Sequence, residues 1–142
     1  MATIEEVRSK VGRILGSNFQ TTIDGDGEFY IAQGSAGVWV SVQEGFRDHV
    51  QVRLRAMLIG EVTVTPELTL DIATTGLLVG SLFLWIDDES KMGTVWNTWS
   101  LLGDYLDEEE LCQAVAAIVI STDQMDDDWK AKHGGRLHNE NA

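Results

Sequence analysis

The hydrophobic residues near the start of the chain follow the period of an amphipathic helix. Thr3 and Glu6 have the spacing of a capping box, in which a threonine side chain accepts a hydrogen bond from the backbone three residues later. Apolar side chains then recur at intervals of three and four residues, at Ile4, Val7, Val11 and Ile14. The pattern predicts a helix of about four turns that ends near Gly16.

After this helix the hydrophobic period changes to two, which is typical of strands with one buried face. Three such runs follow one another, at residues 27–33, 37–44 and 49–60. In the third run, valine and leucine side chains face one way, whereas Arg53 and Arg55 face the other. The short links between the runs predict an antiparallel meander.

A second helix and two further strands are predicted next. Thr65, Pro66 and Glu67 have the order of a helix start, with threonine as the cap, proline at the first helical position and an acid in the first turn. Residues 77–86 and 93–100 are extended and flank a polar turn. Both faces of the 77–86 run are apolar, which favours a strand covered on two sides.

The last helix has the strongest local signal in the chain. Asp107 and Glu110 form a capping box, and Gly134 and Gly135 supply a left-handed cap at the other end. Apolar or weakly polar residues recur between them at helical spacing, at Leu111, Val115, Ile118, Thr122, Met125 and Trp129. We expect a helix of about 26 residues, roughly 39 Å long at 1.5 Å per residue.

The order of elements is helix, three strands, helix, two strands, helix. Strands grouped in this way predict an α+β fold with a five-stranded antiparallel sheet packed by helices, rather than a doubly wound parallel sheet. The chain contains no internal repeat and no low-complexity linker. We therefore expect one domain over residues 1–135, followed by a polar, flexible tail at residues 136–142.

The net charge of the chain limits the classes of partner that it can bind. Ten lysines and arginines against 23 acids give a formal net charge of −13. This charge repels phosphate backbones and anionic lipid head groups, so nucleic acid and membranes are excluded as partners. The first twenty residues lack an apolar stretch of signal-peptide length, and the run at 77–86 is about half a membrane span. We expect a soluble, cytoplasmic protein.

Candidate catalytic and metal-binding residues are few. The turn that begins at Asp24 lacks the glycine and glutamate that a calcium-binding EF-hand loop requires at its sixth and twelfth positions. Cys112 is the single cysteine and lies among acids, which raise a thiol pKa. His49 follows Asp48, but no G-x-S-x-G nucleophile motif or phosphate-binding loop occurs. The sequence predicts no catalytic residue, no metal and no cofactor, and an unrecognised hydrolase remains a remote alternative.

Acidic residues are concentrated towards the C-terminus. Nine acids and no lysine or arginine lie between Asp104 and Asp128. One interpretation is a solvated helix face, and the other is a docking surface that attracts a basic partner segment. For the second interpretation, the candidate steering residues are Asp123, Asp126 and Asp127.

The five tryptophans are many for a chain of this size. Trp85, Trp96 and Trp99 fall on the two late strands. Packing in the core explains about half of the tryptophans on the usual burial of such residues. An exposed apolar patch that includes the others would mark a binding or self-association surface.

The sequence resembles a known family. The residues that carry the resemblance are Thr65-Pro66-Glu67-Leu68, the run from Leu101 to Asp107 that leads to Glu110-Leu111, and the stretch from Thr122 to Asp128 through Gly134-Gly135. They are similar to actinobacterial proteins of the YbjN and type III secretion chaperone-like group. The resemblance implies a curved antiparallel sheet, frequent dimerisation and binding of peptide segments, with no catalytic residues to carry over.

Two hypotheses follow from these observations. The first is a non-enzymatic, chaperone-like module that binds a protein or peptide client on apolar sheet surface between acidic rims. Trp85, Trp96 and Trp99 would make the apolar contacts. The second is a structural or regulatory homodimer without a client, in which the same apolar surface is buried between two copies.

Overall fold

Three α-helices, a short 3-10 helix at Phe46–Asp48 and one sheet are the regular elements of the part of the chain that the structure describes. A computed structural model describes residues 2–140 of the 142-residue chain. The α-helices are α1 (Ile4–Asn18), α2 (Pro66–Thr74) and α3 (Glu108–His133). The strands are β1 (Thr22–Ile23), β2 (Phe29–Gln33), β3 (Ala36–Glu44), β4 (Val50–Val62), β5 (Ser81–Ile86) and β6 (Gly93–Leu102). The neighbours in the sheet follow the order β1-β2-β3-β4-β6-β5.

The predicted α+β fold is confirmed, with one correction to the number of strands. Every neighbouring pair in the sheet is antiparallel, and helices pack on the sheet as expected. The sheet has six strands rather than five, because Thr22 and Ile23 pair with the start of β2. A two-residue strand is too short to show an alternating pattern, and for this reason β1 could not be predicted from the sequence.

The helix bounds follow from the side chains that cap them. The Thr65 hydroxyl accepts a hydrogen bond from the backbone N–H of Leu68 at 3.0 Å, and Asp107 accepts one from Glu110 at 2.7 Å. The predicted last helix is confirmed, since α3 has 26 residues and ends before Gly134. None of the helices within residues 2–140 combines the length and the apolar character needed to cross a bilayer.

All three α-helices lie on one face of the sheet. Inward side chains that alternate along β3 and β4, such as Val40 and Leu54, are fully buried in a cluster with residues of α1 and α3. A second apolar cluster joins Leu68 of α2 to the end of β4, and Leu82 and Leu84 of β5 pack against it. The other face of the sheet, which we call the open face, carries no helix within the described residues.

The run at residues 77–86 differs from the expected strand covered on two sides. Only Ser81–Ile86 is a strand, and it forms the edge of the sheet with β6 as its one neighbour. Gly80 has a φ of +82°, a left-handed conformation that separates the strand from the preceding apolar residues. Leu78 is fully exposed. The apolar residues on both faces of this run therefore belong to an edge strand and to an exposed segment before it, and the run is not a strand covered on both faces.

The described part of the expected flexible tail is packed against the sheet. Arg136 and Gly60 exchange two backbone hydrogen bonds of 2.8 Å, and the side chain of Leu137 is 6% exposed. Further along, the backbone N–H of Asn139 donates to the carbonyl of Ser35 at 3.0 Å. Burial of one leucine side chain contributes about 2 kcal/mol, and the three backbone hydrogen bonds add to it. Packed structure thus extends to residue 140.

Candidate functional site

Aromatic and arginine side chains share the open face. Residues paired across neighbouring strands point to the same side of a sheet, and Trp96 of β6 is paired with Phe83 of β5. The same rule places Trp85 beside Thr94, and Trp39 of β3 beside Arg55 of β4. The aromatic and arginine side chains of this face are Tyr30, Trp39, Arg53, Arg55, Phe83, Trp85 and Trp96.

A groove of about 540 Å³ lies between these side chains, and we call it the aromatic–arginine groove. Its lining consists of Glu28, Arg53, Arg55, Phe83, Trp85, Thr94 and Trp96. Trp85 is 53% exposed, whereas Phe83 and Trp96 are half-buried. The volume falls within the range of small-molecule and peptide side-chain pockets. The groove can therefore take several apolar side chains.

Arg55 contacts one carboxylate and two tryptophan rings. Its Nη2 atom lies 2.8 Å from Oε2 of Glu28. Its guanidinium carbon lies 4.8 Å from the ring centroid of Trp96 and 5.5 Å from that of Trp39. Both distances suit cation–π contact. Glu28 already balances the charge of Arg55, so this arginine orders the two tryptophans more than it offers a free charge.

Arg53 occupies a different environment in the same groove. Its Nε atom donates to the Thr98 hydroxyl at 3.4 Å, a long hydrogen bond, and its guanidinium lies 5.7 Å from the ring centroid of Phe83. Among residues 2–140, no carboxylate forms an ion pair with Arg53. The groove thus contains one guanidinium whose charge the described residues leave uncompensated.

His138 of the C-terminal tail packs on the part of the open face next to the groove. The ring of Tyr30 lies on Gly37, where any Cβ atom would collide with it. The Tyr30 hydroxyl is 2.9 Å from Nε2 of His138, whose ring lies 4.7 Å from that of Trp39. Burial lowers the pKa of His138, which keeps the imidazole neutral near neutral pH. His138 therefore covers part of the open face around Tyr30 and Trp39, whereas Trp85 is exposed.

Two of the three candidate tryptophans come together at the groove. Trp85 and Trp96 share the open face. Trp99 is three positions after Trp96 in β6, and an odd separation along a strand reverses the face. It is half-buried against the core on the helix side. The three candidate tryptophans therefore do not share one face of the sheet, since Trp99 lies on the helix side.

The three candidate aspartates lie on α3, on the side of the sheet opposite the groove. Asp123 accepts hydrogen bonds from the backbone N–H and the hydroxyl of Ser35, at 3.1 and 2.9 Å. Asp126 is 1% exposed and lies 2.6 Å from the same hydroxyl, and burial raises its pKa. Only Asp127 is exposed. Asp123 and Asp126 hold the turn between β2 and β3, and none of the three forms a rim of the groove.

The candidate catalytic residues do not assemble into a reactive site. Cys112 is half-buried, and burial, followed by the nearby Glu108 carboxylate, raises the pKa of its thiol. Nδ1 of His49 lies 3.5 Å from Oδ2 of Asp104, not beside a nucleophile. Asp104 accepts a hydrogen bond from the backbone N–H of Val50 at 2.7 Å, which is the main reason that its pKa is lowered. No cluster suited to a metal ion occurs within residues 2–140.

Arg53, Arg55 and Phe83 line the groove but were not among the candidate site residues, although the sequence pattern indicates their faces. Arg53 and Arg55 alternate on the outward side of the most regular strand, in a chain with only ten basic residues. Phe83 lies two residues before Trp85 and so shares its face. What the sequence did not indicate was that β4 and β5 both pair with β6, which brings these side chains together.

A solved chaperone–effector complex shares this fold, and a family model matches nearly the whole chain. A chain in the crystal structure of the Yersinia pestis type III secretion chaperone SycH, in complex with a stable fragment of YscM2, has 12% identity and a TM-score of 0.48, with 87% of this chain and 99% of that chain covered. A chain of the HopA1–SchA chaperone–effector complex has 14% identity and a TM-score of 0.53, with 89% and 99% covered. Comparison with curated proteins finds no match. The sequence model of one family, described as T3SS (YopN, CesT) and YbjN peptide-binding chaperone 1, matches residues 3–141, and the chain belongs to this family.

Proposed function

We propose that this protein is a non-enzymatic, cytoplasmic chaperone-like module that binds an extended segment of a client protein in the aromatic–arginine groove. The observation that carries the proposal is the exposed Trp85 beside half-buried Phe83 and Trp96, in a groove of about 540 Å³. Membership of a peptide-binding chaperone family and the fold shared with a chaperone–effector complex support a client of this kind.

The groove suits alternate side chains of an extended segment. In such a segment, side chains two residues apart point the same way and are separated by roughly 6.6 Å. Trp85 and Trp96 offer large apolar surfaces with little conformational freedom to lose on binding. Aromatic side chains of this type dominate the energy of many interfaces. We therefore assign the apolar contacts to Trp85 and Trp96, with Phe83 between them.

The test is selection of displayed random peptides on the immobilised full-length protein, followed by titration of the selected peptides. We expect Trp85→Ala to weaken their binding by about tenfold or more, which is the effect of losing a central aromatic contact. Tyr105→Ala is the matched control, because this aromatic side chain is 74% exposed and lies in the loop before α3, away from the groove. It should leave binding unchanged.

Two results would contradict the proposal. One is that no peptide family is enriched on the wild-type protein. The other is that the enriched peptides bind Trp85→Ala as tightly as the wild type, while circular dichroism shows that both are folded.

A homodimer without a client is the second candidate function, and a separate surface favours it. The segment 77–79 and the outer side of α3 enclose an apolar groove of about 360 Å³. Leu78 is fully exposed there, and Ile120 is 45% exposed. Two copies that met at this surface would bury both side chains. Analytical ultracentrifugation should then show a dimer for the wild type and a monomer for Leu78→Glu, and a wild-type monomer at high concentration would exclude this function.

A further inference from the structure

Resting on the proposed function, we propose that the aromatic–arginine groove selects client segments in which an aspartate or glutamate is flanked by apolar side chains. The carboxylate would bind the guanidinium of Arg53, and the apolar neighbours would pack on Phe83 and Trp85. The acidic composition of the chain instead suggests a client segment with basic residues. The two expectations differ because the acids of the chain lie mostly outside the groove.

The charges of the groove oppose those of the rest of the molecule. The whole chain has a net charge of −13, but the groove contains two guanidinium groups against the single carboxylate of Glu28. The ion pair between Glu28 and Arg55, at 2.8 Å, uses the one acid of the lining. One positive charge remains, on Arg53. Charge complementarity at the groove therefore favours an acidic ligand group.

The immediate surroundings of Arg53 leave its guanidinium ready to bind. Its Nε atom makes only a long hydrogen bond of 3.4 Å to Thr98, and both terminal amino groups lack a described partner. The fork of a guanidinium matches the two oxygens of a carboxylate, and such charge-assisted pairs are about twice as strong as neutral hydrogen bonds. The ring centroid of Phe83 lies 5.7 Å from the guanidinium carbon, and Arg53 is half-buried. The partial burial increases the strength of the pair beyond that of an exposed one.

The geometry of the sheet also places the apolar contacts next to the charge. Arg53 and Arg55 are two residues apart on β4, and Phe83 and Trp85 are two residues apart on β5, with β6 between the two strands. Arg53 is paired with Ser100 of β6 and Phe83 with Trp96, and the long Arg53 side chain brings its guanidinium carbon to 5.7 Å from the ring centroid of Phe83. A segment with an acid at one position and apolar residues close to it along the chain spans this distance. A polyanion such as nucleic acid does not suit the site, because the surrounding net charge repels it.

The test uses three sets of synthetic peptides of about ten residues, a length typical of one strand. The sets have the same mixture of apolar and neutral residues and differ only at a central position, which is Glu, Gln or Lys. We expect the Glu set to bind the full-length protein about tenfold more tightly than the Gln set, the gain typical of one charge-assisted hydrogen bond. The Lys set should bind most weakly.

Variants then assign the preference to Arg53. Arg53→Gln should remove the difference between the Glu and Gln sets, because the neutral side chain no longer distinguishes a carboxylate from an amide. Arg53→Lys keeps the charge but loses the fork, so part of the preference should remain. Arg13→Gln is the matched control, because Arg13 is exposed on α1 and loses the same charge without contact with the groove. It should keep the full preference.

The outcomes separate this inference from the proposed function. Equal binding of the Glu and Gln sets, or a preference for Lys, overturns the inference while the groove remains a peptide site if Trp85→Ala weakens binding. A Glu preference that survives Arg53→Gln also overturns it. Failure of every set to bind, together with failure of displayed peptides to be selected, overturns the proposed function itself.

Discussion

The replacement of Asp126 by asparagine tests how protons are shared beneath the turn between β2 and β3. The Ser35 hydroxyl lies 2.9 Å from Oδ1 of Asp123 and 2.6 Å from Oδ2 of Asp126. A hydroxyl has one proton and donates it to one acceptor, so the second short contact requires a proton on the other carboxyl. Asp123 also accepts a hydrogen bond from the backbone N–H of Ser35 at 3.1 Å. We expect this proton on Asp126, because that side chain is 1% exposed and burial raises its pKa.

The sign and size of the pH effect follow from this assignment. The folded pKa of Asp126 is above its ordinary value of 3.8, so its contribution to stability is complete below that value. It is lost as the pH rises through the folded pKa, with a slope of up to about 1.4 kcal/mol per pH unit for one proton. Asparagine donates to the Ser35 hydroxyl at every pH. We expect Asp126→Asn to abolish this loss and to be more stable than the wild type above the folded pKa.

The measurement is the free energy of unfolding in urea, followed by tryptophan fluorescence from about pH 4 to about pH 8. The difference between variant and wild type isolates Asp126 from the other titrating groups. Asp128→Asn, at an exposed position nearby, is the control that removes one charge and should leave the wild-type slope intact. If Asp126→Asn and the wild type gave parallel curves across this range, the shared-proton arrangement would be refuted.

Three further predictions use other parts of the fold. Leu137→Ala should lower the free energy of unfolding by about 2–5 kcal/mol because the side chain is 6% exposed, whereas Leu78→Ala should change it by less than about 0.5 kcal/mol; a negligible effect at Leu137 would mean that the tail is undocked in solution. Gly37→Ala should cost about 1–3 kcal/mol and alter the near-ultraviolet circular dichroism, because the new methyl group collides with the Tyr30 ring; unchanged spectra would contradict that packing. Burial raises the pKa of the Cys112 thiol, so alkylation by iodoacetamide at neutral pH should be slower than for an unstructured cysteine peptide, and equal rates would show that the thiol is accessible.

The elements that the sequence predicted well are those whose ends and faces depend on nearby residues. Asp107 and Gly134 bound α3 because each satisfies backbone groups within one turn. The alternation in β4 was clear because one side of that strand is buried along its whole length. The expectations and the structure differ where contacts between distant parts of the chain decide the outcome. The apolar run at 77–86 is typical of a covered strand, and only the strand order shows that β6 is its one neighbour. The polar tail packs through Leu137, which lies in a cluster with residues of β4, α2 and β6.

The candidate site shows why residue type alone could not locate it. Trp96 and Trp99 are alike in sequence context, but the odd separation between them sends one to the groove and the other to the core. The acidic composition pointed to a basic client, yet Asp123 and Asp126 are engaged with Ser35 on the far side of the sheet. Net charge governs attraction at a distance, whereas contact depends on the few charges that face the ligand, and in this groove the uncompensated one is Arg53. The chemistry of a binding surface on a sheet therefore follows from strand order and the parity of positions, and composition predicts it only when both are known.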